Sequence, residues 1–112
     1  DPDMVIPAAE GDVPGSGAII NAVAGVVGRE PDVVLGKPST PARRMIRDRL
    51  DLPPRDCLVV GDRLDTDIAL GERAGMTTAL VRTGVTDDRD LERSDVTPDY
   101  VLDSLADIGA VL

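Results

Sequence analysis

Cys57-Leu-Val-Val-Gly-Asp-Arg-Leu-Asp-Thr-Asp67 is the stretch on which the interpretation of this chain depends. Its first four residues form a continuous apolar run that Gly61 ends, a pattern typical of a short strand buried on both faces. The segment 68–74 that follows has helical character, and Gly75 is placed to end that helix. The stretch therefore predicts a strand, a tight turn and a helix, which is one unit of an α/β sheet.

Carboxylates crowd the turn between this strand and this helix, at Asp62, Asp65 and Asp67. In open α/β sheets, ligands bind at the carboxyl ends of strands, and oxygen ligands favour a hard cation such as Mg²⁺. A purely structural alternative is that Asp65 and Thr66 cap the helix while Asp67 complements its macrodipole. That alternative leaves Asp62 unexplained, so both interpretations stay open on the residues alone.

Length and charge restrict the classes of protein to consider. The 112 residues suffice for one small domain. The formal net charge is −9, from 21 acidic and 12 basic residues, which disfavours nucleic acid and anionic membranes as partners. The excess of Asp and Arg is found in proteins of salt-loving microbes, and a GC-rich genome produces it too. A first residue of Asp rather than Met suits a piece of a longer protein.

Several chemistries lack the residues they need. The chain has no His and one Cys, which excludes His-based acid–base chemistry, an internal disulfide and a cysteine-rich zinc site. Cys57 lies in the apolar strand and reads as a packed, inert thiol. The longest apolar stretch, 17–28, is too short to span a bilayer, and nothing resembles a signal peptide. We therefore expect a cytoplasmic protein without membrane contact, and self-association remains an open alternative.

The rest of the chain alternates helices and strands. Before the central stretch, the patterns predict a short strand or packed linker at 4–6, a helix over 14–28 with Ser16 as N-cap, a strand at 32–35, and a helix capped by Thr40 and ending at 50. After it, they predict a strand at 78–81, a surface loop or short helical turn over 87–94, and a strand at 100–102. A closing helix is predicted to be capped by Ser104, with Leu105, Ile108 and Val111 or Leu112 facing inward. Alternation with short connections predicts a parallel sheet flanked by helices, the α/β class.

Lys37 is the only Lys of the chain and lies in a restrained Gly36-Lys37-Pro38 turn after the predicted strand 32–35. In so acidic a domain a phosphate ester needs a local cation, and Lys37 and Arg63 are the best-placed candidates. A solvated loop lysine is the alternative interpretation.

Two of these motifs resemble those of haloacid dehalogenase-like (HAD) phosphatases. Gly61–Asp67 resembles the fourth motif of that family, and Gly36-Lys37-Pro38 is similar to the third, in the family's order and spacing. Asp3, the stretch 14–18 and the stretch 83–85 resemble the subgroup with a large, late-inserted cap, which includes 4-nitrophenylphosphatases, sugar phosphatases and nucleotide monophosphatases. The resemblance implies that residues 1–112 are the C-terminal part of the family's core, a partial Rossmann-like fold with three layers, α/β/α. Residues 1–14 would be the segment that returns from the cap to this core.

The resemblance also implies an activity and roles for three residues. The activity is Mg²⁺-dependent hydrolysis of a small phosphorylated metabolite through an aspartyl-phosphate. Lys37 would neutralise the nucleophilic Asp and the phosphoryl group, and Asp62 would be a direct Mg²⁺ ligand. Asp67 would hold the water shell of the metal or orient Lys37. Asp65 and Arg63 occupy variable positions of the motif and receive no role.

The chain departs from the family pattern at its beginning. The family's N-terminal nucleophile motif, an Asp-x-Asp that follows a buried strand, is absent, and Asp1 stands where the subgroup usually has Asn. The missing N-terminal half of the same protein is thus an expected partner, and we expect no turnover by the 112 residues alone. A truncated, non-catalytic acidic α/β module that binds a metal or a protein is the alternative.

Overall fold

The computed structural model describes residues 2–112 and contains a three-stranded parallel sheet. The strands and α-helices are β1 (Val5–Ile6), β2 (Val13–Pro14), α1 (Ser16–Val27), α2 (Thr40–Leu50), β3 (Leu58–Gly61), α3 (Ala69–Ala74), β4 (Thr77–Val81), α4 (Asp88–Arg93) and β5 (Tyr100–Leu102). Strand order in the sheet is β3-β4-β5, with Leu58 opposite Thr77 and Ala79 opposite Tyr100. The α/β class and the parallel sheet are thereby confirmed, as the partial Rossmann-like core required.

The core lies between this sheet and the helical segment that follows β3. That segment begins with one π-helical turn, Leu64–Ile68, which continues into α3. Ile68 and Leu80 are fully buried, Leu64 joins them, and Leu91 and Val96 pack against this group. The strand, turn and helix predicted from the sequence therefore supply two of the three residues of the core cluster, Leu64 and Ile68.

Hydrogen bonds between Asp99 and Thr78 join the beginnings of β4 and β5. One oxygen of Asp99, Oδ2, accepts hydrogen bonds from the backbone N of Thr78 at 2.8 Å and from its Oγ1 at 3.0 Å. The backbone N of Asp99 donates to the same Oγ1 at 3.0 Å. Thr78 is buried, so these bonds also satisfy its polar groups away from water.

The amino-terminal segment folds back against the beginning of α1. β1 pairs antiparallel with β2, and Gly15 and Gly17 donate backbone hydrogen bonds to the carbonyls of Met4 and Asp3, both at 2.9 Å. A Cβ at Gly15 would lie 2.2 Å from the Asp3 carbonyl oxygen, so this approach requires glycine. Gly15 also occupies the N-cap position of α1, whereas the sequence had predicted Ser16 there.

The strand predicted at 32–35 is wrong, because the structure has no strand there. Val33 and Leu35 are 65% and 70% exposed. An apolar run forms a strand only when a neighbouring strand pairs with its backbone N–H and C=O groups. Within residues 2–112 no strand pairs with residues 32–35. The cap of α2 is corrected as well, since Ser39 and not Thr40 accepts from the backbone N of Ala42, at 3.3 Å.

The C-terminal elements follow the sequence only in part. Ser104 caps the last element, as predicted, in a capping box with Asp107, but that element is a 3₁₀-helix over Leu105–Ala110. Leu105 and Leu112 are exposed, whereas Ile108 and Val111 are half-buried, so the expected inward face is buried only in part. Of the two alternatives for 87–94, the short helical turn is correct, and Asp87 caps it as α4.

Much apolar surface stays in contact with water. Four large apolar side chains of α1 are exposed: Ile19, Val23, Val26 and Val27. β3 lies at an edge of the sheet formed by the described residues. The radius of gyration, 15.2 Å, exceeds the about 13 Å expected for a closed domain of this length. Within residues 2–112 no helix has the length and apolar character needed to cross a membrane.

Candidate active site

Lys37 and Asp67 form an ion pair at the end of the sheet where β3 leads into the turn. The Lys37 Nζ lies 2.6 Å from Asp67 Oδ1; the Lys37 side chain is 40% exposed, whereas Asp67 is buried. Lys37 belongs to the turn before α2, and its peptide bond to Pro38 is cis. Two loops 30 residues apart in the chain are thus joined, and the structure brings together the predicted cation and one predicted carboxylate.

The second oxygen of Asp67 organises the turn after β3. Its Oδ2 accepts hydrogen bonds from the backbone N of Asp62 at 3.2 Å and of Arg63 at 3.3 Å. A Cβ at Gly61 would lie 2.3 Å from the Asp67 Cβ, so only glycine allows the carboxylate to approach the end of the strand. Both oxygens of Asp67 are therefore engaged, one by Lys37 and the other by backbone.

Asp62 follows β3 directly and is held by the loop after β4. Its Oδ2 accepts from the backbone N of Val85 at 2.9 Å, and its carbonyl accepts from the N of Thr86 at 3.2 Å. A Cβ at Gly84 would lie 2.1 Å from the Asp62 Cβ, so this loop packs directly on the side chain. The other oxygen, Oδ1, has no hydrogen-bond partner within residues 2–112.

The carboxylates at this end of the sheet fit a magnesium ion that Asp62 would bind, with no second ligand from the described residues. Mg²⁺ takes one or two carboxylates together with water and substrate phosphate. Asp62 has a free oxygen and a fixed orientation, whereas Asp67 has neither oxygen free. Residues 2–112 contain no group of three or more His, Cys, Asp or Glu side chains that could hold a metal. Of the two roles considered for Asp67, its contacts favour orienting Lys37.

Arg63, the other cation considered for phosphate binding, is engaged elsewhere. Its Nε lies 3.6 Å from Asp3 Oδ2, and its guanidinium donates to the Val5 carbonyl. Both side chains of this ion pair are mostly buried, at 16% and 17% exposure. Arg63 therefore fastens the amino-terminal segment to the carboxylate turn. Sequence reasoning missed this contact, because nothing local marks two residues so far apart as partners.

The remaining residues of the motif lie outside the site. Asp65 is exposed and makes no contact with Lys37 or Asp62. Thr66 is fully buried, and its Oγ1 has no hydrogen-bond partner within residues 2–112. Neither side chain caps the helix, so the capping alternative does not account for them. Asp1, at which the sequence departs from the subgroup, lies outside the described residues.

Comparison with known proteins identifies the class of protein that this fold and site define. The HAD-hydrolase-like family model matches residues 34–108, which is more than half of the chain. The chain belongs to this family. Its match contains the Lys37 turn, β3, the carboxylate turn and the sheet.

Individual relatives are similar over nearly the whole chain. A dihydroxyacetone phosphatase from Corynebacterium glutamicum is 32% identical over 108 residues, which cover 96% of this chain and 39% of the relative. A p-nitrophenyl phosphatase from Archaeoglobus fulgidus matches with a TM-score of 0.85 and 46% identity, over 100% of this chain and 44% of that one. The chain thus spans about two fifths of the length of these relatives.

Some of the similar structures contain a metal ion. The glycerol phosphate phosphatase from Mycobacterium tuberculosis in complex with magnesium matches with a TM-score of 0.77 and 35% identity. The match covers 90% of this chain and 30% of that chain.

Proposed function

We propose that this chain is the C-terminal part of the catalytic core of a Mg²⁺-dependent phosphate monoester hydrolase. The observation that carries the proposal is the Lys37–Asp67 ion pair at 2.6 Å, set beside the free oxygen of Asp62 at the carboxyl end of β3. The phosphatase names of the relatives support the same reaction. Residues 1–14 are, in this proposal, the segment that returns from the cap to the core.

The chemistry follows from charge. In an aspartyl-phosphate route a carboxylate attacks the phosphorus of a phosphate dianion, and the two anions repel each other. Lys37 offsets that repulsion and the negative charge that develops on the phosphoryl oxygens. Asp67 keeps the ammonium of Lys37 in place, and its backbone bonds keep Asp67 in place. A magnesium ion bound through Asp62 would be a second cation beside the phosphoryl oxygens.

The substrate in this proposal is a small phosphorylated metabolite. The relatives are named as dihydroxyacetone, p-nitrophenyl and glycerol phosphate phosphatases, so the names share the phosphatase reaction and differ in the organic group. The nucleophile would come from the N-terminal half of the parent protein, the partner that the family pattern implies.

A chimeric enzyme tests the proposal. In it, residues 1–112 replace the matching 44% of the Archaeoglobus fulgidus p-nitrophenyl phosphatase. We expect hydrolysis of 4-nitrophenyl phosphate that requires Mg²⁺, and loss of about 10²–10³-fold in kcat with Asp62→Ala, because the metal loses its ligand. The release of 4-nitrophenolate is followed by absorbance.

Asp65→Ala is the matched control for this test. It removes a carboxylate three positions from Asp62 that is exposed and makes no contact in the site, and the chimera should keep its activity. A folded chimera without Mg²⁺-dependent hydrolysis would favour the non-catalytic module instead. Equal losses with Asp62→Ala and Asp65→Ala would show that the assigned metal ligand is wrong.

A further inference from the structure

A pocket lined by arginines lies between α2 and the end of α3. Its volume is about 170 Å³, and its lining residues are Thr40, Arg43, Arg44, Arg47, Arg73, Ala74 and Met76. Four of the chain's 12 basic residues therefore surround one small pocket, although the net charge of the protein is −9.

Arg43 is a fixed wall of this pocket. One guanidinium nitrogen donates to the Arg73 carbonyl at 2.7 Å, and another donates to Thr40 Oγ1 at 2.7 Å. These bonds join the first turn of α2 to the last turn of α3, so the pocket is held together from both helices. The Nε of Arg43 is buried and has no acceptor within residues 2–112, so this atom cannot meet an anion from solution. Arg43 therefore contributes its position and its charge to the pocket, and Arg44 and Arg73 are the arginines available to a ligand.

Most of the arginines in the pocket form no ion pair with the described part of the protein. Within residues 2–112, Arg43, Arg44 and Arg73 have no carboxylate within 4.0 Å. The carboxylate paired with Arg47 is that of its sequence neighbour Asp48, at 3.8 Å, and both side chains are exposed. Like charges brought together repel, and an anion from solution would relieve that repulsion.

The arginine pocket is separate from the candidate active site. Asp67 precedes α3, whereas Arg73 lies in its last turn, and six residues of helix correspond to a rise of about 9 Å. None of Lys37, Asp62 and Asp67 lines the pocket. A ligand in the pocket would therefore not compete with the substrate of the proposed phosphatase, and the inference does not depend on that function.

We propose that this pocket binds a phosphoryl group, either as free phosphate or as the phosphate of a small ester. Guanidinium groups present paired N–H donors whose spacing matches two oxygens of a phosphoryl group, and such charge-assisted bonds are stronger than neutral ones. Arg44 and Arg73 approach from different helices and are exposed, so both are free to turn toward an anion.

Calorimetric titration of the 112-residue chain tests the proposal with two probes, inorganic phosphate and glycerol 3-phosphate, at constant ionic strength set by NaCl. The double variant Arg44→Gln/Arg73→Gln should weaken phosphate binding by at least about tenfold, since it removes two charged donors. The matched double variant Arg89→Gln/Arg93→Gln makes the same change of charge on the exposed face of α4, and it should bind as the original chain does. Lys37→Gln separates the pocket from the active site, because Lys37 does not line the pocket, and the binding event that Arg44→Gln/Arg73→Gln weakens should persist in it.

The two probes distinguish the sources of the phosphoryl group. Tighter binding of inorganic phosphate assigns free phosphate, and tighter binding of glycerol 3-phosphate assigns an ester. The absence of saturable binding of either probe up to tens of millimolar would overturn the proposal. Equal weakening of phosphate binding by both double variants would show that the anion responds only to the net charge of the protein. Loss of binding in Lys37→Gln, with normal binding in Arg44→Gln/Arg73→Gln, would place the anion in the active site. Either result would also overturn it.

Discussion

Replacing Lys37 by Ala in the chimeric enzyme is expected to lower kcat for 4-nitrophenyl phosphate by about 10³-fold. The reason is electrostatic, because no other cation of residues 2–112 pairs with Asp67, and Arg63 is held by Asp3. The loss should appear mainly in kcat, since in the proposed mechanism the charge that Lys37 offsets grows as the reaction proceeds. Steady-state kinetics over a range of substrate concentrations separate kcat from KM.

Two further variants sharpen the Lys37 prediction. Lys37→Arg keeps the charge but replaces a compact ammonium by a planar fork, so it should restore only part of the activity. Arg55→Ala removes an exposed arginine that precedes β3, whereas the site lies at the other end of that strand, and it should change nothing. A loss smaller than tenfold in the Lys37→Ala chimera would contradict the role given to the ion pair.

Replacing Ile68 by Ala is expected to lower the free energy of unfolding by about 3–5 kcal/mol, a large share of the stability of a small domain. Ile68 has no exposed surface and packs with Leu64 and Leu80 under the sheet, so its removal leaves a cavity that the surroundings cannot fill. Urea unfolding followed by circular dichroism gives the free energy.

Ile19→Ala is the matched control for the Ile68 prediction. It deletes the same atoms from a helix, but Ile19 is 61% exposed, so the expected change stays within about 0.5 kcal/mol. Comparable losses at the two positions would show that the core is not where the structure places it.

The sequence predicted the strand, turn and helix around Asp62 because these elements depend on neighbours in the chain. Apolar residues in succession, a glycine and an acidic turn lie within one short stretch, and β3, the π-helical turn and α3 follow it closely. The contact between Lys37 and Asp67 matches one of the two roles that the family resemblance implied for Asp67, although the strand expected before Lys37 is not formed. The loop is instead held by the ion pair and by the Ser39 cap of α2.

What the sequence could not predict depends on partners distant in the chain or outside it. Val33 and Leu35 have the composition of a strand, but a strand requires a neighbour, and the described residues provide none. The pairing of Arg63 with Asp3 joins positions whose local patterns say nothing about each other. The arginine pocket likewise depends on the placement of Arg73 against α2, which no periodicity of α2 alone reveals.

The exposed apolar face of α1, together with Val33 and Leu35, has a consequence for the thermodynamics of unfolding. The heat capacity of a protein rises on unfolding because apolar groups become hydrated, by about 12–15 cal/mol/K per residue in ordinary domains. In this chain many of those groups are hydrated already. The heat-capacity increment per residue must therefore be smaller, and the enthalpy of unfolding changes little with temperature. The stability curve is correspondingly shallow, so warming and cooling both alter the folded fraction only gradually.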